Sequence, residues 1–198
     1  MRLTRPSADA LRVGGLVPLS TMDFPGELAA VVFVRGCPLR CGYCHNPHLQ
    51  SRARAAEDLR WPAVRDWLAS RRGLLDAVVF SGGEPTVDPA LPAAIDDARS
   101  LGLRIGLHTA GVYPARVRAL VGRLDWVGLD VKAPLTSCDA YRRIVGVPAQ
   151  PSAVERTLAA LLAHGVDVEC RTTTHPSIHT ETDLLAIADG LATAGVRR

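Results

Sequence analysis

Five short apolar runs rich in β-branched residues recur along this chain at intervals that leave room for one helix between successive runs. That spacing limits what the chain can fold into more than any other feature. The runs are residues 28–34 (LAAVVFV), 76–80 (DAVVF), 103–109 (LRIGLHT), 126–132 (WVGLDVK) and 166–174 (VDVECRTTT). Unbroken runs of this kind, bounded by turn residues, read as strands of a buried parallel sheet. Segments of helical period lie near residues 61–70, 89–101, 114–121, 152–164 and 181–194, so the order is β-α repeated. Strand, helix and strand at this spacing imply right-handed crossovers. Five units are too few for a closed eight-stranded barrel, so the expected fold is α/β, a partial (β/α) barrel with a mainly parallel sheet.

One domain over residues 1–198 is expected, with 47% hydrophobic and 22% charged residues to supply its core and surface. Residues 1–27 read as an N-terminal arm, with Pro18, Pro25 and turn glycines between Gly14 and Gly26 suggesting an arm or hairpin. After the last helical segment the chain reads Gly195, Val196, Arg197, Arg198, and the further strand expected after residue 196 is missing.

The formal charge of +3 is small and the arginines are scattered rather than gathered with aromatic residues, which argues against a nucleic-acid partner. No apolar run is long enough to cross a bilayer, and the first residues lack the apolar segment of a secretory signal. A cytoplasmic chain with no membrane partner is expected. In a reducing compartment, clustered cysteines point to metal or redox chemistry rather than to disulfides.

Each candidate site follows one of the five strands. After the first comes RGCPLRCGYCHNPHL, with Cys37, Cys41 and Cys44 in a Cys-x3-Cys-x2-Cys spacing. Three thiolates within eight residues suit one metal centre, and the intervening Pro and Gly favour a loop. Three are too few for the four irons of a cubane cluster, which leaves one iron open. A zinc knuckle completed by His45 or His48 is the alternative, although His45 adjoins Cys44 and would be strained on the same ion. After the second strand come Ser81, Gly82, Gly83 and Glu84, where glycines permit close backbone approach to a ligand. Thr109 to Gly111 end the third. Asp130 and Lys132 share a face of the fourth by the period of two, as a ligand grip or a structural ion pair. Arg171 and Thr173 end the fifth. Cys138 and Cys170 stand alone, in a loop-like and a strand-like segment, and receive no role. For His108, His164, His175 and His179 no partner is visible in the sequence.

CPLRCGYC together with GGEP resembles the radical S-adenosylmethionine (SAM) superfamily, whose signature is Cys-x3-Cys-x-aromatic-Cys, here Cys37, Cys41, Tyr43 and Cys44. More narrowly, GLVPLSTMDFPGELAAVVFVRGCPLRCGYCHNPHL, FSGGEPT and DWVGLDVKAP resemble the activating proteins of glycyl-radical enzymes, in particular those of anaerobic ribonucleoside-triphosphate reductase. The resemblance runs from about Gly15 to about Leu185.

It implies one [4Fe-4S] cluster on Cys37, Cys41 and Cys44, with SAM chelating the open iron. Reductive cleavage would yield a 5′-deoxyadenosyl radical that takes hydrogen from a glycine of a partner glycyl-radical enzyme, the anaerobic reductase. A low-potential donor such as flavodoxin or ferredoxin would supply the electron. The resemblance also places Ser81, Gly82, Gly83 and Glu84 on the methionine amino group, Asp130 by the ribose, Lys132 on the carboxylate, Tyr43 near the adenine, and Thr109 and Arg171 in the same cofactor site. Where many relatives read Asp-Thr-Asn-Gly, this chain has His108, Thr109, Ala110 and Gly111, so the aspartate of a monovalent-cation site is replaced by histidine. A related small-molecule enzyme of the 7-carboxy-7-deazaguanine synthase type is one alternative, and a zinc-stabilised binding module without catalysis is another.

Overall fold

The computed structural model describes residues 6–196. The expected strand after residue 196 lies outside the described residues. A seven-stranded sheet of order β3-β1-β2-β4-β5-β6-β7 forms the centre, built from β1 (Arg12–Ser20), β2 (Ala29–Val34), β3 (Leu59–Arg60), β4 (Ala77–Gly82), β5 (Arg104–Thr109), β6 (Trp126–Asp130) and β7 (Asp167–Arg171). From β2 to β7 every neighbouring pair is parallel. The sheet does not close, which is the partial barrel expected.

Two strands escaped the sequence reading. The Gly14 to Gly26 region holds most of β1, which runs antiparallel to β2 and to the short β3. The cysteine loop therefore follows the second strand of the chain rather than the first. Its Gly and Pro content disguises β1, but pairing along β2 satisfies its backbone and overrides propensity.

Among the described residues, six α-helices follow the strands from β3 on: α1 (Trp61–Ala69), α2 (Leu91–Ser100), α3 (Pro114–Arg118), α4 (Cys138–Val145) and α5 (Pro151–Ala163), the last two both between β6 and β7, and α6 (Glu181–Thr193). All lie on one face of the sheet. Trp61, Leu68, Ile95, Val117, Ile144, Leu158 and Ile187 bury against Val32, Phe80, Leu107 and Leu129 in one core. Sequential parallel order with same-handed crossovers produces this one-sided covering. The opposite face holds a small apolar floor of Phe24, Ala29, Val31, Ala77, Val79 and Trp126. Among the described residues, no helix is long and apolar enough to cross a membrane.

The period of two sorts each strand between these faces. Val127 and Leu129 enter the helix-side core, while Trp126 joins the floor. Register then aligns Phe33 with Ser81, and His108 with Gly128 and Glu169. Asp130 pairs with Arg171 one step further on. The residues at the C-terminal strand ends thereby gather above the floor.

Candidate functional site

The cysteine loop between β2 and the turn at residues 47–49 is held by backbone bonds from several directions. Gly36 and Cys37 N–H groups donate to the carbonyls of Leu49 and Gln50, and Arg40 N–H donates to Val145 O at the end of α4. Buried Arg35 (4% exposed) secures the return path: its Nε donates to both oxygens of Asp58 at 2.6 and 2.7 Å, and its Nη1 donates to His48 O. A buried charge of this kind is stable only because it is fully paired. At α4, Gly146 adopts φ +68, and a Cβ there would lie 2.4 Å from Arg40 O. The Arg40 guanidinium donates back to the carbonyls of Cys37 and Leu39.

Cys37, Cys41 and Cys44 line one pocket with Tyr43, Ser81, Gly82, Gly83, Thr109, Asp130, Lys132, Arg171 and Thr173. Eleven of the twelve residues assigned to the site from sequence are thus brought together. All three thiols are free and half-buried. Burial pushes Cys37 up to about 11, against a Leu39 N–H that lowers it, with the Glu84 carboxylate adding to the rise. Burial likewise raises Cys41, while Lys132 opposes it. Such thiols want a cation to hold them as thiolates.

Lys132 Nζ donates to Asp130 Oδ2 at 2.9 Å, with the lysine side chain 12% exposed and the aspartate 40%. Burial works against the ammonium, but Asp130, with Tyr43 and Cys41, holds its pKa above the usual lysine range. Nζ also sits 5.8 Å from the centre of the Tyr43 ring. The Tyr43 hydroxyl is buried with no hydrogen-bond partner, and burial pushes its pKa up to about 12. The Tyr43 hydroxyl is thus left with a hydrogen bond to make, on a residue that lines the pocket with Lys132.

The two glycines have a reason beyond the one the sequence suggested. Gly82 has φ +120, and a Cβ on it would lie 2.4 Å from both N and O of Val34; on Gly83 it would lie 2.4 Å from Gly36 O. Both allow the turn after β4 to press against the start of the cysteine loop. Their approach is to the chain's own backbone.

Glu84 needs a correction of the same kind. Its side chain is buried (1% exposed) and is absent from the pocket lining. It accepts from Thr86 N–H and hydroxyl, from the Thr109 hydroxyl and from Ala110 N–H. Burial raises its pKa, opposed by those donors. Four donors leave it tying the ends of β4 and β5 together rather than free for an amino group. Thr109 reaches the pocket wall, but its hydroxyl is committed to Glu84 and to Gly111 N–H.

Of the histidines with no partner visible in the sequence, His108 lines this pocket and His179 packs behind its Tyr43. His108 Nδ1 lies 3.2 Å from Ser81 Oγ, while Nε2 lies 3.0 Å from Asp23 O and 3.1 Å from Arg171 Nη1. Burial, then the Arg171 guanidinium, lower its pKa and so favour the neutral ring, whose tautomer decides which neighbour it bonds. Arg171 is further fixed by Glu169 at 2.7 Å and stacks 4.8 Å over Trp126. His179 is buried against Tyr43, ring centroids 5.8 Å apart.

Comparison with known proteins accords with this geometry. The family model described as the Radical SAM superfamily matches residues 31–188. A protein of Methanocaldococcus jannaschii, whose name proposes it as a glycyl-radical enzyme activating enzyme, is 32% identical over 186 residues, covering 89% of this chain and 73% of that protein. The pyruvate formate-lyase-activating enzyme of Clostridium pasteurianum is 30% identical over 140 residues, 68% of this chain and 57% of its own length. Streptococcus suis SuiB bound to S-adenosylmethionine superposes with a TM-score of 0.60 at 14% identity, over 82% of this chain and 35% of that one. The last likeness concerns the fold alone.

Proposed function

The chain belongs to the radical SAM superfamily, whose members use a [4Fe-4S] cluster and SAM, and from that premise we propose that it installs a glycyl radical on a partner protein. The observation that carries the cofactor assignment is the convergence of Cys37, Cys41 and Cys44 on the pocket that also contains the Asp130–Lys132 pair.

When bound, these groups supply reductive cleavage of the SAM sulfonium to methionine and a 5′-deoxyadenosyl radical that can take hydrogen from a glycine Cα. The chain's own residues bind and orient. In this reading Cys37, Cys41 and Cys44 ligate three irons and leave one coordination site open. Lys132 offers its ammonium to the cofactor carboxylate, and Asp130 keeps that ammonium charged while its exposed oxygen meets the ribose hydroxyls. The Tyr43 hydroxyl gains a partner, and Ser81 with the backbone of Gly82 and Gly83 faces the amino group. Arg171 and Thr173 complete the pocket lining.

Two relatives named as activating enzymes, one of a glycyl-radical enzyme and one of pyruvate formate-lyase, support a protein substrate, and the resemblance of the segment around the three cysteines to reductase activating proteins supports the anaerobic ribonucleoside-triphosphate reductase as that substrate. A low-potential flavodoxin or ferredoxin would deliver the electron. The test is anaerobic incubation of the reconstituted protein with SAM, a reductant and a candidate reductase. Electron paramagnetic resonance should then show a glycine-centred doublet in the reductase, and deuterium placed on its glycine should appear in 5′-deoxyadenosine. Cleavage of SAM with no such signal and no deuterium transfer would exclude this partner.

A further inference from the structure

We infer that residues 172–180, between β7 and α6, form a strap that sets the cofactor pocket, and that His179 is its positioning residue. The inference rests on the cofactor reading above. The strap lies outside the sheet, yet it bonds to the end of β6 at two successive carbonyls. Thr172 Oγ1 donates to Val131 O at 2.8 Å, and His179 Nε2 bonds Lys132 O at 3.1 Å. The ladder with β7 has ended there, its last bond running from Val131 N–H to Arg171 O. The Lys132 backbone is therefore held by the strap rather than by the sheet.

The tautomer of His179 follows from its partners. His175 N–H donates to His179 Nδ1 at 3.2 Å, so Nδ1 carries a lone pair and Nε2 carries the hydrogen given to Lys132 O. A second bond, His179 N–H to His175 O, closes the strap on itself. Both ring nitrogens of this 7% exposed residue are thus used. Its ring also packs on Tyr43, and next to it Ile178 reaches the cysteine loop, where a Cβ on Gly42 would meet Ile178 Cδ1 at 3.3 Å. Arg143 on α4 anchors the far side by donating to Ile178 O and by pairing with Asp183 at 2.8 Å. One histidine consequently connects the residue proposed for the cofactor carboxylate with the loop proposed for the cluster.

Loss of the imidazole takes away the partner of the part-buried Lys132 carbonyl and of the His175 N–H, which releases the strap rather than the fold. The test uses full-length, reduced, metal-free protein under anaerobic conditions, pulsed with iodoacetamide and mapped by peptide. His179→Ala should raise alkylation of Cys41 and Cys44 by about tenfold, with exposed Cys138 unchanged. His179→Gln, which retains an amide donor for the Lys132 carbonyl, should stay within about threefold of wild type. In reconstituted protein, the dissociation constant for SAM should rise about tenfold in His179→Ala and less in His179→Gln. Alkylation of Cys41 and Cys44 in His179→Ala within about twofold of wild type would overturn the inference. Should that variant fail to fold, Ile178→Ala decides: faster alkylation supports the strap and an unchanged rate overturns it. If wild-type reconstituted protein binds no SAM, the cofactor reading fails, while the alkylation rates still decide whether the strap shields the loop.

Discussion

Glu84 shows how a residue assigned from a motif can serve the motif without touching its ligand. Its four donors come from two strand ends, with Ala110 N–H at 2.7 Å and the Thr86 hydroxyl at 2.6 Å. Glu84→Gln turns one acceptor oxygen into an NH2 that must face a donor, so it should cost about 2 kcal/mol in urea-midpoint stability of the metal-free protein. Unchanged stability combined with weaker SAM binding would instead place the carboxylate on the cofactor. The cysteines were legible because their spacing is local. His108 and His179 were not, because their partners lie 27, 63 and 47 residues away, and no period or spacing reports a contact made only by strand register. Gly82 and Gly83 were legible as glycines required by a close approach, but the partner, β2 and the loop after it, emerges only when β2 and β4 lie side by side.

At the scale of elements, the five strands and five helices that the apolar periodicity marks are present, whereas β1, β3 and α4 were overlooked. The α4 region TSCDAYRRIVG carried its own signals: Ser137 caps Ala140 N–H at 3.1 Å and Gly146 ends the helix in the left-handed region. Those end signals outweigh the loop-like reading of Cys138, which begins the helix. The helix matters because Arg143 reaches from it to Asp183, the third residue of α6 and half of a capping box with Thr180. The Thr180 N–H, then Arg143, lower the Asp183 pKa from 3.8 to about 2. A folded pKa below the unfolded one contributes stability above the unfolded value and loses it on acidification. Wild-type protein should therefore lose stability relative to Asp183→Asn as pH falls from 3.8 toward about 2. Parallel acid-denaturation curves for the two proteins check this, and coincident differences at all pH values would contradict it.

Across the whole molecule, the helices occupy one face of the sheet, so the opposite face must supply both a floor for the barrel and a wall for the site. Trp126 does both: it stacks on Phe24 at 5.3 Å, meets His108 edge-on at 5.5 Å, and carries Arg171 at 4.8 Å. Trp126→Ala should cost roughly 3 kcal/mol by calorimetry or urea titration, the range for a large buried aromatic residue. It should also weaken SAM binding, since His108 and Arg171 lose their support. Destabilisation with unaltered affinity would show that floor and mouth are independent. The β-α order made the architecture readable from the sequence, because sequential parallel strands leave few alternatives. That one face would stay free of helices, and that its few apolar side chains would brace the site, depends on side chains from four separate segments meeting, which no single stretch encodes.

The most direct test of the central claim is cleavage of SAM by the anaerobically reconstituted protein with a strong reductant, compared with Cys41→Ala treated in the same way. The account predicts 5′-deoxyadenosine and methionine in equal amounts from wild type and neither from the variant. A wild-type protein that carries its cluster yet cleaves no SAM, or a Cys41→Ala protein that cleaves it as well, would contradict the account.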